Sequence, residues 1–228
     1  MPKDVIIACD FNSKEATLSF LEKFTKRKPF VKIGMELYYS CGPEIVKEIK
    51  ARGHKIFLDL KLHDIPNTVK KSMAVLKDLD VDITNCHAAG TSAMMAAAKE
   101  GLGNNAKLIA VTQLTSTDQA ALTNQLLIDE PIDEVVIHYA KNAKASGLDG
   151  IVCSPHEAKD VHEYCGNDFL TICPGVRFAD SASDDQKRIM TPKQAKENGC
   201  DYIVVGRPIT QADDPVKAYE RCVKEFLQ

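Results

Sequence analysis

Residues 55–69 read KIFLDLKLHDIPNTV, and the first part of this stretch sets a pattern that the rest of the chain repeats. The run KIFLDLK is short and rich in Ile, Leu and Phe, which is typical of a strand buried on both faces of a parallel sheet. Similar runs recur at a regular pace along the whole chain. We predict strands at residues 5–10, 30–35, 55–61, 83–87, 107–114, 150–154, 169–176 and 202–207.

Stretches with apolar residues at helical spacing lie between these runs. Predicted helices cover residues 13–27, 43–51, 91–99, 133–145, 192–197 and 215–227, with Ser13 as the N-cap of the first. Strands that alternate with helices in this way indicate right-handed βαβ units and a parallel sheet.

The number of units favours a closed barrel over an open sheet. Eight units within 228 residues match the count of a (β/α)8 TIM barrel. A doubly wound open sheet is the alternative, but it usually has a glycine-rich turn after its first strand, where this chain reads CDFNSKE. No composition shift or low-complexity linker interrupts the chain. We therefore predict an α/β fold with a single (β/α)8 barrel catalytic domain over residues 1–228.

Composition excludes several classes of partner. The chain has 29 Lys and Arg against 32 Asp and Glu, a net charge of −3, no Trp and 6% aromatic residues. A surface devoted to nucleic acid needs a basic excess and stacking aromatics, so no nucleic-acid partner is expected. One phosphate group needs only a local cluster of donors, so a small phosphorylated ligand remains compatible with this charge.

The cysteines and the termini point to a reducing compartment. The eight Cys stand at positions 9, 41, 86, 153, 165, 173, 200 and 222, with no C-x-x-C pair and no zinc spacing, and several lie inside apolar runs. We interpret them as small buried thiols rather than as disulfides or metal ligands. The apolar run at the N-terminus is too short for a signal peptide, and the longest uncharged stretch, 83–98, is too polar to span a membrane. We expect a cytoplasmic protein with no membrane partner.

Charged residues interrupt the predicted strands at their C-terminal ends, where barrel enzymes place their chemistry. Asp10 ends the first strand, Lys32 lies in the second, Asp59 and Lys61 lie two apart in the third, and Asp64 follows just beyond it. Residues two apart in a strand point the same way. A structural ion-pair network at the barrel mouth is one interpretation of these charges.

The alternative interpretation is a site that stabilises a carbanion. A Lys between carboxylates stays protonated, because opposite charges favour its charged form. Such a Lys can deliver a proton to carbon, and the adjacent carboxylates repel a negative group of a ligand.

The last two strands carry a phosphate-binding pattern. Strand seven ends CPGVR, with Arg177, and strand eight ends VVGRP, with Gly206 and Arg207. Loops after strands seven and eight are the usual phosphate site of such barrels. Two surface arginines after tight turns are the simpler interpretation. The long polar stretch 178–190 between them is typical of a lid, and Gln186 within it is placed to close over a phosphate.

The segment DLKLHDIPNTV resembles the signature of the orotidine 5'-phosphate decarboxylase family. The opening ACDF and the segments VKIG, NCHAAG, VTQLTS, CPGVR and VVGRPIT resemble the same family in the same order, over essentially the whole chain. The length is similar to that of its short, free-standing bacterial-type members. The resemblance implies cofactor-free decarboxylation of orotidine 5'-monophosphate to UMP, no bound metal, and a homodimer with its two sites at the subunit interface.

The resemblance also implies roles for the charged residues. Lys61 matches the proton donor, and Asp59 matches the carboxylate beside the carboxylate of the substrate. Lys32 and Asp10 match groups on the ribose side, and Lys32 also belongs to the charged array. Asp64 matches a residue that the neighbouring subunit contributes toward the ribose.

Further substrate contacts follow from the same motifs. Thr68 is contributed by the neighbouring subunit, and Ile65 is a further contact. Thr115 and Ser116 lie near the pyrimidine, and Pro174 is also a contact. The phosphate clamp consists of Arg177, Gln186, Gly206 and Arg207. His63 and His87 lie inside matching motifs, and we assign them orienting roles rather than catalysis.

Two rival functions use the same fold. The keto-gulonate phosphate decarboxylases share the D-x-K-x-x-D pattern, but they depend on a metal and keep an acidic ligand on strand two, where this chain has Lys32. The IPNT sequence after Asp64 also favours the nucleotide enzyme. A non-catalytic nucleotide-binding barrel is the other rival, and the presence of Lys61 with both carboxylates argues against it.

Overall fold

Eight parallel strands close into a barrel in the computed structural model, which describes residues 3–180 and 190–228. Each strand pairs with its neighbours in chain order, and β8 pairs with β1. The strands are β1 Asp4–Ala8, β2 Phe30–Gly34, β3 Ile56–Leu62, β4 Ile83–His87, β5 Lys107–Val111, β6 Gly150–Val152, β7 Leu170–Cys173 and β8 Tyr202–Val205. The predicted (β/α)8 fold is confirmed.

Helices surround the barrel and outnumber the predicted ones. They are α1 Lys14–Glu22, α2 Met35–Cys41, α3 Glu44–Ala51, α4 Pro66–Lys77, α5 Thr91–Leu102, α6 Gln119–Leu126, α7 Ile132–Ala145, α8 Ala158–Cys165, α9 Pro192–Glu197, α10 Arg207–Thr210 and α11 Pro215–Leu227. Six match predicted segments, and Ser13 caps α1 by accepting a hydrogen bond from the N–H of Ala16. Within the described residues, no helix combines the length and the apolar character needed to cross a membrane.

Helices α2, α4, α6, α8 and α10 were not predicted. In α4 the buried residues Val69, Met73 and Leu76 follow helical spacing, and the helix begins at Pro66, a residue that favours the first turn. The sequence contains this helical spacing. It was not used in the prediction, because the start of the helix overlaps the segment DLKLHDIPNTV, which was interpreted through its single polar residues.

Six of the eight strands were predicted too long at their C-terminal ends. The prediction for the fifth strand ran to residue 114, whereas β5 ends at Val111, and the seventh ran to 176, whereas β7 ends at Cys173. The residues beyond each strand include Leu114 and Pro174, which line a cavity at the barrel mouth. Their apolar character therefore reflects the cavity wall rather than a continued strand.

Apolar side chains fill the molecule in two layers. Phe30, Phe57, Ile83, Ile109 and Val204 are among those packed inside the barrel. A larger layer lies between the strands and the helices, and it includes seven of the eight cysteines, all of them buried. All eight cysteines are free thiols.

Buried and half-buried carboxylates at the opposite, N-terminal face of the barrel have a structural role. Asp82, Asp149 and Asp201 precede β4, β6 and β8, and each accepts the N–H of a residue at or near the start of the preceding strand at 2.8–3.0 Å. For Asp201, burial raises the pKa, but hydrogen bonds from His162 and Thr171 outweigh burial and hold it below its usual value. Buried charge is thus structural at one face, and the chemistry must be sought at the other.

Candidate active site

Polar side chains replace apolar ones at the C-terminal end of the barrel interior. Lys32, Asp59 and Asn85 each stand two residues after an apolar residue of the interior, on β2, β3 and β4. Because side chains alternate across a strand, all three point into the barrel. The strand pairing sets Lys32 beside Phe57 and Asp59 beside Gly34, so these side chains meet at the barrel mouth.

Four charged groups form a continuous chain of ion pairs there. The ammonium of Lys32 lies 2.9 Å from Asp10 Oδ1 and 3.5 Å from Asp59 Oδ2. The ammonium of Lys61 lies 2.7 Å from Asp59 Oδ1. Two cations and two anions therefore alternate across the mouth. The sequence led us to expect an alternating array of Lys32, Asp59, Lys61 and Asp64, with Asp10 as a further charge at the same rim.

The ion pairs hold Asp59 and Lys32 in their charged forms. Burial raises the pKa of Asp59, but the charges of Lys32 and Lys61, with hydrogen bonds from Lys61 and Asn85, outweigh it and leave the pKa below the usual value. Burial lowers the pKa of Lys32, but Asp59 and Asp10 outweigh it and raise that pKa. At neutral pH Asp59 is an anion and Lys32 a cation.

The backbone of Lys61 departs from strand geometry. Its φ is 53°, in the left-handed region that residues other than glycine adopt infrequently, and the β3–β4 ladder shifts register between Leu58 and Leu62. Asp59 and Lys61 were expected to point the same way, and their side chains do meet in an ion pair, although the strand is irregular between Leu58 and Leu62.

Asn85 was missed by the sequence analysis. Its side chain is fully buried, its Nδ2 donates to Asp59 Oδ1 at 2.7 Å, and its Oδ1 accepts the N–H of Lys61 at 2.8 Å. The signal that identifies it is the one that identified Lys32: a polar residue two positions after an inward apolar residue.

Gly34 was missed as well. A Cβ at this position would lie 3.1 Å from both Asp10 Oδ1 and Lys32 Nζ. The absence of a side chain at Gly34 therefore leaves room for the Asp10–Lys32 ion pair.

A cavity of about 260 Å³ opens above the ion pairs. Its polar lining consists of Lys32, Asp59, Lys61, Gln113, Thr115 and Ser116. Its remaining lining consists of Phe57, Val111, Leu114, Val152, Cys153, Pro174 and Val204. The structure thus brings the predicted residues Thr115, Ser116 and Pro174 to the same cavity as the charged array, and it adds Gln113, which sequence reasoning did not single out.

The structure does not bring every predicted residue into the array. Asp64 is exposed, and its Oδ1 accepts the N–H of Ile65 at 2.7 Å. Ile65 and Thr68 are also exposed. The predicted array of Lys32, Asp59, Lys61 and Asp64 is therefore wrong for one protomer, in which Asp10 takes the fourth place.

The predicted phosphate residues lie on adjacent loops, because β7 and β8 are neighbours. Arg177 is buried, and its Nη1 donates to the carbonyl of Val176 at 3.0 Å. Gly206 directly precedes α10, and Arg207 begins that helix with an exposed side chain. Gln186 and most of the predicted lid lie outside the described residues.

Two histidines stand beside Lys61. The rings of His63 and His87 have centroids 5.5 Å apart. Burial lowers the pKa of His87, and the nearby His63 and Lys61 add to that effect, so His87 is neutral at pH 7. Across residues 3–180 and 190–228, no group of three or more His, Cys, Asp and Glu side chains is arranged to hold a metal ion.

Comparison with known proteins places the chain among decarboxylases. Proteins named orotidine 5'-phosphate decarboxylase match it in two streptococci. That of Streptococcus mutans is 55% identical over 222 residues, which cover 97% of this chain and 96% of that protein. That of Streptococcus thermophilus is 56% identical over 215 residues, which cover 94% and 93%.

Two solved structures are similar to this chain over nearly their whole length. The crystal structure of orotidine 5'-phosphate decarboxylase from Lactobacillus acidophilus aligns with a TM-score of 0.89 and 44% identity, over 99% of this chain and 100% of that one. The crystal structure of an uncharacterized conserved protein from Geobacillus kaustophilus aligns with a TM-score of 0.86 and 47% identity, over 97% and 99%. The family model described as orotidine 5'-phosphate decarboxylase / HUMPS matches residues 3–222. The resemblance inferred from the motifs is confirmed, and the chain belongs to the orotidine 5'-phosphate decarboxylase / HUMPS family.

Proposed function

We propose that this chain decarboxylates orotidine 5'-phosphate to UMP and CO₂, the last step of pyrimidine synthesis, without a cofactor. The observation that carries the proposal is the position of the Lys61 ammonium, 2.7 Å from the Asp59 carboxylate, where both residues line a cavity of about 260 Å³. The family and the names of the relatives support the same reaction.

The reaction demands stabilisation of a carbanion. Loss of CO₂ from C6 of the pyrimidine leaves an electron pair in the plane of the ring, where conjugation does not delocalise it. A fixed cation beside C6 stabilises this charge as it develops. In the proposed mechanism the Lys61 ammonium is that cation, and it then donates its proton to C6, leaving neutral Lys61 and UMP.

Asp59 and Lys32 prepare the site for this step. Asp59 is an anion, so it repels the carboxylate of a bound substrate, and the repulsion disappears when that carboxylate leaves as neutral CO₂. Asp59 also holds the Lys61 ammonium in place, while Lys32, between Asp10 and Asp59, prevents accumulation of unpaired negative charge. In the proposal, Asp10 and Lys32 also contact the ribose hydroxyls.

The other predicted residues bind the remainder of the nucleotide. Thr115, Ser116 and Pro174 line the cavity, and in the proposal they contact the pyrimidine. Arg177, Gly206 and Arg207 bind the phosphate, together with Gln186. A phosphate far from the reacting carbon supplies binding energy that orders the site around C6.

A homodimer completes the site in this proposal. Asp64, Ile65 and Thr68 are exposed after β3, and the apolar residues Met35 and Tyr39 are exposed after β2, the strand that pairs with β3. Exposed apolar side chains of this kind are typical of a subunit contact. We propose that Asp64 and Thr68 reach the ribose in the neighbouring barrel, and that the eight free thiols reflect a cytoplasmic location.

One assay tests the function. Purified protein is mixed with orotidine 5'-phosphate, and the loss of the substrate's ultraviolet absorbance is followed with and without a chelator. We expect turnover that the chelator does not change. Absence of turnover would favour a non-catalytic barrel. A parallel assay uses a keto-gulonate phosphate as substrate, and turnover there that the chelator abolishes would favour the metal-dependent rival.

A further inference from the structure

Asn85 joins the two halves of the reaction centre. Its side chain is 0% exposed on β4. One end of its amide donates to Asp59 Oδ1 at 2.7 Å, and the other accepts the N–H of Lys61 at 2.8 Å. Asp59 Oδ1 is also the oxygen that contacts the Lys61 ammonium. The amide therefore bridges the carboxylate of one residue and the backbone of the other.

The backbone that Asn85 supports is unusual. Lys61 has a φ of 53°, and it lies where the β3–β4 ladder shifts register. A left-handed conformation costs a residue with a side chain about 1–2 kcal/mol, so surrounding contacts must hold it. The N–H of Lys61 donates to the Asn85 side chain rather than to a β4 carbonyl. This bond supplies the acceptor that the N–H needs where the strand pairing is irregular.

Only a few side chains supply both contacts. The carboxylate of Asp59 needs a donor, and the N–H of Lys61 needs an acceptor. An amide offers both in one rigid plane. Leucine offers neither, with the same number and branching of side-chain heavy atoms. An ionised aspartate keeps the acceptor, but it places a second anion against Asp59.

We propose that Asn85 is a positioning residue for the decarboxylation, which fixes the Lys61 ammonium against Asp59 by bonding to both. The inference rests on the proposed function, because it concerns the group that protonates the product. Asn85 contributes to the rate and little to substrate affinity, since it is absent from the lining of the cavity.

Thr84 provides a matched control. It is the adjacent residue of β4, it is equally buried, and its Oγ1 donates to the β3 carbonyl of Leu58 at 3.1 Å. Thr84→Val removes one buried β3–β4 hydrogen bond without touching the ion pairs. A loss of kcat that comes only from weaker pairing of β3 with β4 should appear in both Thr84→Val and Asn85→Leu.

The first measurement is turnover of orotidine 5'-phosphate by Asn85→Leu and Thr84→Val, with UMP affinity measured in parallel. We expect Asn85→Leu to lower kcat about 100-fold, with KM and UMP affinity within about threefold of the wild type. Thr84→Val should keep kcat within about threefold. Equal kcat losses in the two variants, or a loss confined to KM, would overturn the proposal.

The second measurement uses Asn85→Asp, which keeps the shape of the side chain. Two carboxyl groups at the distance of Asn85 and Asp59 share one proton, so the higher of the two pKa values of the pair is raised. The charged and titratable groups around them are Lys61 on β3, Lys32 on β2, Asp10 after β1, and His87 and His63 nearby. Below the raised pKa, the protonated carboxyl donates to Asp59 as the amide does. Above it, that donor is lost.

The kcat of Asn85→Asp, relative to the wild type at the same pH, should therefore fall as pH rises from about 5.5 to about 8.5, by about tenfold. A pH-independent ratio would overturn the proposal, even if Asn85→Leu proves too unstable to assay. The proposed function fails separately, because in that case the wild type itself would not convert orotidine 5'-phosphate.

Discussion

The ammonium of Lys61 lies 2.7 Å from Asp59 Oδ1, although Lys61 occupies an irregular position of its strand, with a φ of 53°. In the proposed mechanism this ion pair holds the proton donor in a fixed position. A preorganised charge of this kind stabilises a developing carbanion without a cost for reorganisation at the moment of reaction.

Replacing Lys61 tests the assignment of the proton donor. Lys61→Ala should lower kcat about 10⁴-fold, because both the cation and the proton for C6 are lost. UMP affinity should remain measurable, since the cavity keeps its other lining residues. Turnover of orotidine 5'-phosphate and titration with UMP provide the two measurements.

Lys99→Ala is the matched control for that variant. The Lys99 side chain is about as buried as that of Lys61, and it pairs with Asp149 at 3.0 Å at the opposite face of the barrel. Its loss should lower the melting temperature and leave kcat unchanged. Near-normal turnover of Lys61→Ala would contradict its role as proton donor.

A substitution at Gly34 tests whether the Asp10–Lys32 ion pair needs the space left by the missing side chain. Gly34→Ala places a Cβ 3.1 Å from both Asp10 Oδ1 and Lys32 Nζ, so these groups must shift by a few tenths of an ångström. Its φ of −88° suits any residue. We expect kcat/KM to fall about tenfold with little change in melting temperature, since small displacements of charged groups weaken positioning more than stability.

Gly53→Ala should show the opposite behaviour. Gly53 has a φ of +84° and open space around it, so a side chain strains the backbone and meets no neighbouring atom. Its cost is about 1 kcal/mol of folding stability, with no effect on kcat/KM. If Gly34→Ala, like Gly53→Ala, changed only the folding stability and not kcat/KM, the space at Gly34 would not be needed by the ion pairs.

Arg207 tests the phosphate clamp. Arg207→Ala should lower kcat/KM for orotidine 5'-phosphate about 10³-fold, because binding energy at the phosphate is used to order the reaction centre. Phosphite added to wild-type protein should raise turnover of orotidine, which lacks the phosphate, and should do so much less in the variant. Lys193→Ala, the loss of an exposed cation on α9, serves as the control. An Arg207→Ala variant with unchanged kcat/KM would remove this residue from the clamp.

Much of the fold and of the charged centre follows from two simple regularities. The repeated strand pattern predicts the barrel because eight buried strands have few other arrangements. The inward alternation within β2 and β3 predicts Lys32 and Asp59, since a charge that faces a barrel interior needs a partner there. The same rule applied to β4 predicts Asn85, which we overlooked because it is uncharged.

Other features depend on contacts between distant residues. The left-handed backbone of Lys61 depends on a hydrogen bond from β3 to β4, which no local pattern encodes. The importance of Gly34 depends on the position of Asp10, 24 residues earlier in the chain. Asp64 lies outside the ion pairs of the protomer and is exposed, so a motif that joins it to Lys61 in sequence predicted a contact that one protomer does not make.

Sharing of sites between subunits gives the last prediction. If Asp64 acts in the neighbouring barrel, a dimer of one Lys61→Ala and one Asp64→Ala subunit holds one intact site and one site with both lesions. Random mixing makes half of the dimers hybrids, so activity should recover to about a quarter of the wild-type value from two nearly inactive parents. Mixing Lys61→Ala with Asp59→Ala is the control, because these residues belong to one barrel and every site of that hybrid keeps a lesion. Subunits with different mass tags verify the exchange. If exchange occurs and the first mixture stays as inactive as the control, Asp64 does not act across the interface.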